Sequence, residues 1–98
     1  MTIEQAAQQA IDCQNACNAS GLIQSLAEIT SGVLWPISSQ LGLGSRWVNR
    51  HPVIALFLFK IGELNGYGIS SLDPGYDKAM ELCKSIVAGD PQPAYRTV

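Results

Sequence analysis

Residues 51–66 read HPVIALFLFKIGELNG, and the reading of this stretch decides the fold. Seven apolar residues run without a break from Val53 to Phe59, and Ile61 and Leu64 follow. On a helix they cover most of the circumference rather than one stripe, and a helix apolar nearly all round is buried on most sides. Pro52 suits the first helical position, where its missing N–H costs nothing. Asn65-Gly66 suits a left-handed cap at the other end. The pattern predicts a buried central helix over 52–65. The fold class that follows is all-α, a compact bundle of about four helices packed around that centre.

Working outward toward the N-terminus, Leu41-Gly42-Leu43-Gly44-Ser45 reads as a loop. Ser45 can cap a single turn, Arg46 to Arg50, before His51-Pro52 opens the central helix. Upstream, Leu22, Ile23, Leu26, Ile29, Val33 and Leu34 form an apolar face on a helix over about 20–35. Trp35-Pro36 should kink or end it, because Pro36 removes one ladder bond and its ring crowds the preceding turn. A short helical piece can continue to about Leu41. Trp35 reads as core, with an indole N–H that needs a partner when buried. Asn18-Ala19-Ser20-Gly21 breaks the pattern: Asn18 can end one helix and Ser20 cap the next, with a continuous helix through 18–21 as the alternative. The first helix, about 2–18, starts at Thr2, where Gln5 three residues on completes a capping-box spacing. Its apolar face is mostly alanine, which allows a close approach to a neighbour. Its polar side, Gln8, Gln9, Asp12 and Gln14, carries almost no charge and suits an interface.

Downstream, Gly66 leads into a loop, and Asp73-Pro74 marks a helix start of N-cap followed by proline. Tyr76, Ala79, Met80, Cys83 and Val87 then line one face of a helix over about 73–88. Residues 1–89 read as one helical domain, and 90–98, with two prolines, as an extended tail.

The bulk numbers narrow the function classes. Of the 98 residues, 47% are apolar and only 14% charged, against roughly 25% charged in typical domains. So little charge leaves surface for another subunit or partner to cover, and a homo-oligomer is expected. The net charge of −2 argues against general DNA binding, though not against a local basic patch. The N-terminus shows no basic segment followed by an apolar run, so a secretory signal is not expected. An apolar run of seven is far below the roughly 20 residues that span a bilayer. Three cysteines without a signal segment suggest reduced thiols in a cytoplasmic setting.

Charge distribution supplies the candidate site. From Ile29 to Gly62 there is no acidic residue, yet Arg46, Arg50 and Lys60 fall in that span. A helix N-terminus favours an anion, and arginine adds forked donors that match phosphate or carboxylate. Ser45, Arg46, Trp47, Asn49, Arg50 and His51 can therefore build a corner for an anionic small molecule or nucleotide. In it the arginines hold phosphate, Trp47 stacks, and Asn49 reads polar edges. The competing reading makes Arg46 and Arg50 an exposed pair, Trp47 and Val48 core, and His51 a helix cap. GLGS matches no phosphate loop of known spacing. Cys13, Cys17, His51 and Cys83 form a Cys3His zinc set on paper, but nothing pairs them in sequence. No metal, cofactor or catalytic group is expected, since one histidine without paired carboxylates leaves few acid–base options.

At Cys17-Asn18-Ala19-Ser20-Gly21 and Trp47-Val48-Asn49-Arg50-His51-Pro52 the chain resembles small uncharacterised proteins of phage, plasmid and prophage genomes, with a C-N-x-S-G segment followed by W-V-N-x-H-P and an apolar helix. The resemblance covers roughly residues 14–66 and carries no activity with it. It implies a mobile-element protein in the cytoplasm of a bacterial host, of a kind that often inhibits host defence. Such an inhibitor sequesters a signalling nucleotide or binds a host protein.

Overall fold

A computed structural model describes residues 1–66 and 74–90, with the side chain of Gln14 excepted. Helix α1 spans Ile3–Asp12 and closes in a 3-10 turn, Cys13–Asn15. Helices α2 (Ala19–Ile29) and α3 (Trp35–Leu41) are joined end to end by a π turn, Thr30–Leu34. Helices α4 (Gly44–Asn49), α5 (Pro52–Leu64) and α6 (Pro74–Ala88) follow. No strand occurs among the described residues. The all-α bundle expected from residues 51–66 is the architecture observed.

Helix α5 takes the centre. Pro52, Val53, Ile54, Leu56, Phe57 and Gly62 are buried on it. Helices α1, α2, α4 and α6 all pack against it. Its burial is not complete, because Leu58, in the middle of the apolar run, faces outward and is 50% exposed. Alanine serves α1 as expected: Ala6, Ala7 and Ala10 are fully enclosed where the helix lies against α5 and α6. The capping box is formed, with Thr2 Oγ1 accepting from Gln5 N–H at 3.2 Å and Gln5 Oε1 accepting from Thr2 N–H at 2.8 Å.

Four expectations change. Helix α1 ends sooner than 18, and α2 begins with Asn18 as its cap, not Ser20: Asn18 Oδ1 accepts from Gly21 N–H at 3.1 Å. Loss of this cap leaves a helix donor unsatisfied, so Asn18→Ala should cost about 1 kcal/mol in a urea titration.

Ser45 likewise lies within α4 rather than capping it. The turn is built from Gly42 (φ +70°) and Gly44 (φ +78°), a conformation open to glycine at little cost. The enclosed Ser38 hydroxyl donates to Gly44 O at 2.9 Å. Pro36 does not end its helix, and the short helical piece expected to continue to about Leu41 is present as α3. The wider turn before it sends Trp35 N–H to Thr30 O, five residues back, and so reorganises the ladder where proline supplies no donor. Thr30 and Ser31 hydroxyls bond back to Leu26 O and Ala27 O at 2.7 and 2.8 Å.

Finally, three apolar residues assigned to the core face outward: Ile23 is 52% exposed, Trp35 39% and Val87 40%. On α6 the inward position next to Val87 is taken by Ile86, which is 4% exposed. The loop expected after Gly66, the Asp73 cap and the tail from 91 lie outside the described residues.

Candidate functional site

The six residues of the predicted anion corner divide between two sides of the short helix α4. Ser45, Arg46, Asn49 and Arg50, at i, i+1, i+4 and i+5, are exposed. Trp47 is 3% exposed, Val48 and His51 not at all. The division follows from helical spacing: α4 lies on α3 and α5, and the two apolar residues of RWVNR can only turn inward together.

Trp47 and His51 meet inside, edge to face, with ring centroids 5.1 Å apart at 67°. His51 caps α5, its Nδ1 accepting from Val53 N–H at 3.3 Å. That acceptor role requires the neutral ring with its proton on Nε2. Burial pushes the imidazole well below its ordinary value, to about 4, because a charge enclosed there would be poorly solvated. The start of α5 is thus closed over by His51 and by buried Pro52 and Val53. The helix end and the aromatic ring that were to meet a ligand belong to the interior. What remains outside is a patch of Ser45, Arg46, Asn49 and Arg50 with no ion pair to either arginine among the described residues.

The cysteines do not assemble a metal centre. Cys13 and Cys83 are buried, Cys17 is exposed, and no group of three or more metal-ligating side chains occurs among the described residues. Burial, with Cys13 adding to it, pushes the Cys83 thiol up to about 12, which leaves it protonated and packed as a small apolar group.

On the polar side of α1, Gln8 and Asp12 are exposed and Gln9 is half-buried. Gln8 Nε2 donates to Asp12 Oδ1 at 3.0 Å, and Gln9 Nε2 reaches across to Ser25 Oγ on α2 at 3.2 Å. Gln9 therefore joins two helices of the same chain.

A surface not singled out in the sequence is the outer side of the continuous 19–41 helix. Twelve positions there are exposed, and Glu28 is the one charged residue among them. Exposed residues recur as 23/24, 27/28, 31/32, 35/36 and 39/40, and buried or half-buried ones as 22, 26, 29/30, 33/34 and 37/38. A repeat of four drifts by about 40° per step on an α-helix of 3.6 residues per turn. The wider π turn at Thr30–Leu34 takes that drift back and holds both faces in line. Ile23 and Trp35 stand near the two ends of this face, with Ala27, Ser31 and Gly32 between them. Beyond Gly32 a Cβ would meet no atom within 4 Å. The signal was present in the sequence as a four-residue spacing of small and uncharged residues.

No helix among the described residues is long and apolar enough to cross a membrane. No protein-family model matches the chain, and comparisons with curated proteins and with solved structures return no significant match.

Proposed function

We propose that the chain is a non-enzymatic binding protein that works through the outer face of its 19–41 helix by engaging another protein surface. The observation that carries this reading is the composition of that face: twelve exposed positions, one charge, and three large apolar side chains, Ile23, Trp35 and Leu41, held outward. Solvated helix faces are normally rich in charge, and an aromatic projecting from a nearly uncharged surface is the usual anchor of an interface. The π turn beneath it is a feature found frequently at functional sites. The single histidine is committed to capping α5 inside the core, which removes the one side chain suited to acid–base work at neutral pH. In the mobile-element setting that the C-N-x-S-G and W-V-N-x-H-P segments imply, the partner would be a protein of the bacterial host or of the element itself.

Cross-linking tests the reading. A photoreactive residue at exposed Gln24 should give one dominant protein adduct in cells. The same group at exposed Lys84, on the charge-rich surface of α6, should give none. Equal adducts from both positions overturn it.

A second reading rests on the acid-free stretch and its two exposed arginines. In it, Ser45, Arg46, Asn49 and Arg50 hold an anionic, nucleotide-like ligand at the surface, and an oligomer sequesters it from host signalling. Arg50→Ala should then abolish binding and leave the melting temperature unchanged, since an exposed arginine contributes little stability. Native mass spectrometry of freshly purified protein reads both outcomes, as an added non-metal mass in the wild type that the variant lacks. Wild type without added mass, or a variant that keeps it, removes this patch from consideration.

A further inference from the structure

We infer that the partner of the 19–41 face is a second copy of the same face, paired antiparallel about a two-fold axis at the level of residue 29, so that Ile23 of each copy packs on Trp35 of the other. The inference rests on the interface reading above and names its occupant. Three observations carry it.

The first is symmetry. A two-fold interface must be complementary to itself, residue i meeting residue j and j meeting i. Ile23 and Trp35 stand six residues either side of residue 29, about 18 Å apart along the helix. Ala27 and Ser31 stand two residues either side of it. An antiparallel copy therefore sets Ile23 against Trp35 twice and Ala27 against Ser31 twice. The small side chains in the middle, with Gly32 beside them, let the helix axes approach to about 8 Å. Ile29 itself, 1% exposed, lies on the opposite, inward side.

Charge is the second. A nearly uncharged face offers nothing to an acidic or basic partner. It is matched by a face equally poor in charge, and among the described helices none but this one qualifies. The exposed residues of α6 include Asp77, Lys78, Glu81 and Lys84, those of α1 include Glu4 and Asp12, those of α4 and its C-cap include Arg46 and Arg50, and the two exposed residues of α5 are Leu58 and Glu63. Glu28 alone meets its own copy near the axis, a like-charge contact that weakens the pair modestly because it is open to solvent.

The third is area. Half the outer wall of a helix about 34 Å long and 10 Å across comes to roughly 500 Å² per copy. Stable interfaces need about 800 Å² per partner, so the pairing belongs at the low end, as a reversible and concentration-dependent dimer.

Sedimentation equilibrium of the full chain from low to high micromolar concentration tests this. Wild type should pass from monomer to dimer. Trp35→Glu and Ile23→Glu should each remain monomeric with an unchanged far-ultraviolet circular dichroism spectrum; where Trp35→Glu unfolds, the more exposed Ile23→Glu carries the test. Glu28→Gln should lower the dimer dissociation constant by about twofold, which a different protein on this face would not produce. A wild type that stays monomeric overturns self-pairing while leaving the Gln24 cross-link intact. Dimers that survive Ile23→Glu, or that Glu28→Gln leaves unaltered, overturn this geometry of pairing. Loss of the Gln24 cross-link itself would instead overturn the interface reading.

Discussion

Phe57→Ala is expected to lower the unfolding free energy by about 3–5 kcal/mol. Phe57 is fully enclosed on α5 and leads the fully buried side chains by volume. Helices of three sides, α1, α2 and α6, close over α5, so the walls have little freedom to collapse into the space a phenyl ring leaves. A domain of this size has about 5–15 kcal/mol in total, and the variant should be near the edge of folding. The neighbouring Leu58 is the control. It is chemically similar and adjacent in the same apolar run, yet 50% exposed. Leu58→Ala should change stability by less than about 1 kcal/mol. Urea titration of the two variants at neutral pH checks the contrast, and similar midpoints would contradict the placement of α5.

The second large effect is acid destabilisation through His51. Its folded value, about 4, lies below the ordinary 6.5 because burial disfavours the charged ring. Between those values the unfolded chain binds a proton that the folded chain refuses, so stability falls as the pH falls. The contribution is fully present above about pH 6.5 and lost progressively toward pH 4. A shift of this size corresponds to about 3 kcal/mol. Protonation would also place a proton on Nδ1, where the ring now accepts from Val53 N–H, and so cancel the cap of α5. His51→Asn keeps a capping acceptor without titrating. The variant starts less stable for want of the ring packed on Trp47. Its stability should nevertheless fall less between pH 6.5 and 4 than that of the wild type, by about 3 kcal/mol. Equal pH slopes in urea titrations would show that His51 takes up its proton alike in the folded and unfolded chain, against its burial as a neutral cap.

Local chemistry made much of this fold legible. The apolar run from Val53 to Phe59, Pro52 before it and Asn65 after it specify a buried helix without reference to the rest of the chain. The observed bounds, Pro52–Leu64, differ from the expected ones by one residue. The Thr2–Gln5 capping box and the alanine face of α1 are local in the same sense. Pro36 shows where local rules run out. Proline interrupts a ladder, but whether the chain breaks there or widens into a π turn depends on what the flanking residues gain by staying in line. Val33, Leu34 and Ser38 on one side of that turn all remain buried, and that burial favours the unbroken helix.

Of the candidate site, the sequence alone determined which residues exist near the start of α5 and that no acid lies among them. It left Trp47 open to either side and assigned Trp35 to the core, where the structure does not place it. Only the packing of α4 on α3 and α5 turned Trp47 and His51 inward, and only the register held by the π turn kept Ile23 and Trp35 outside. Apolar character favours burial of Trp47, Ile23 and Trp35 alike, and so does not decide between them. A helix has one inward side, and the elements packed against it decide which residues occupy that side.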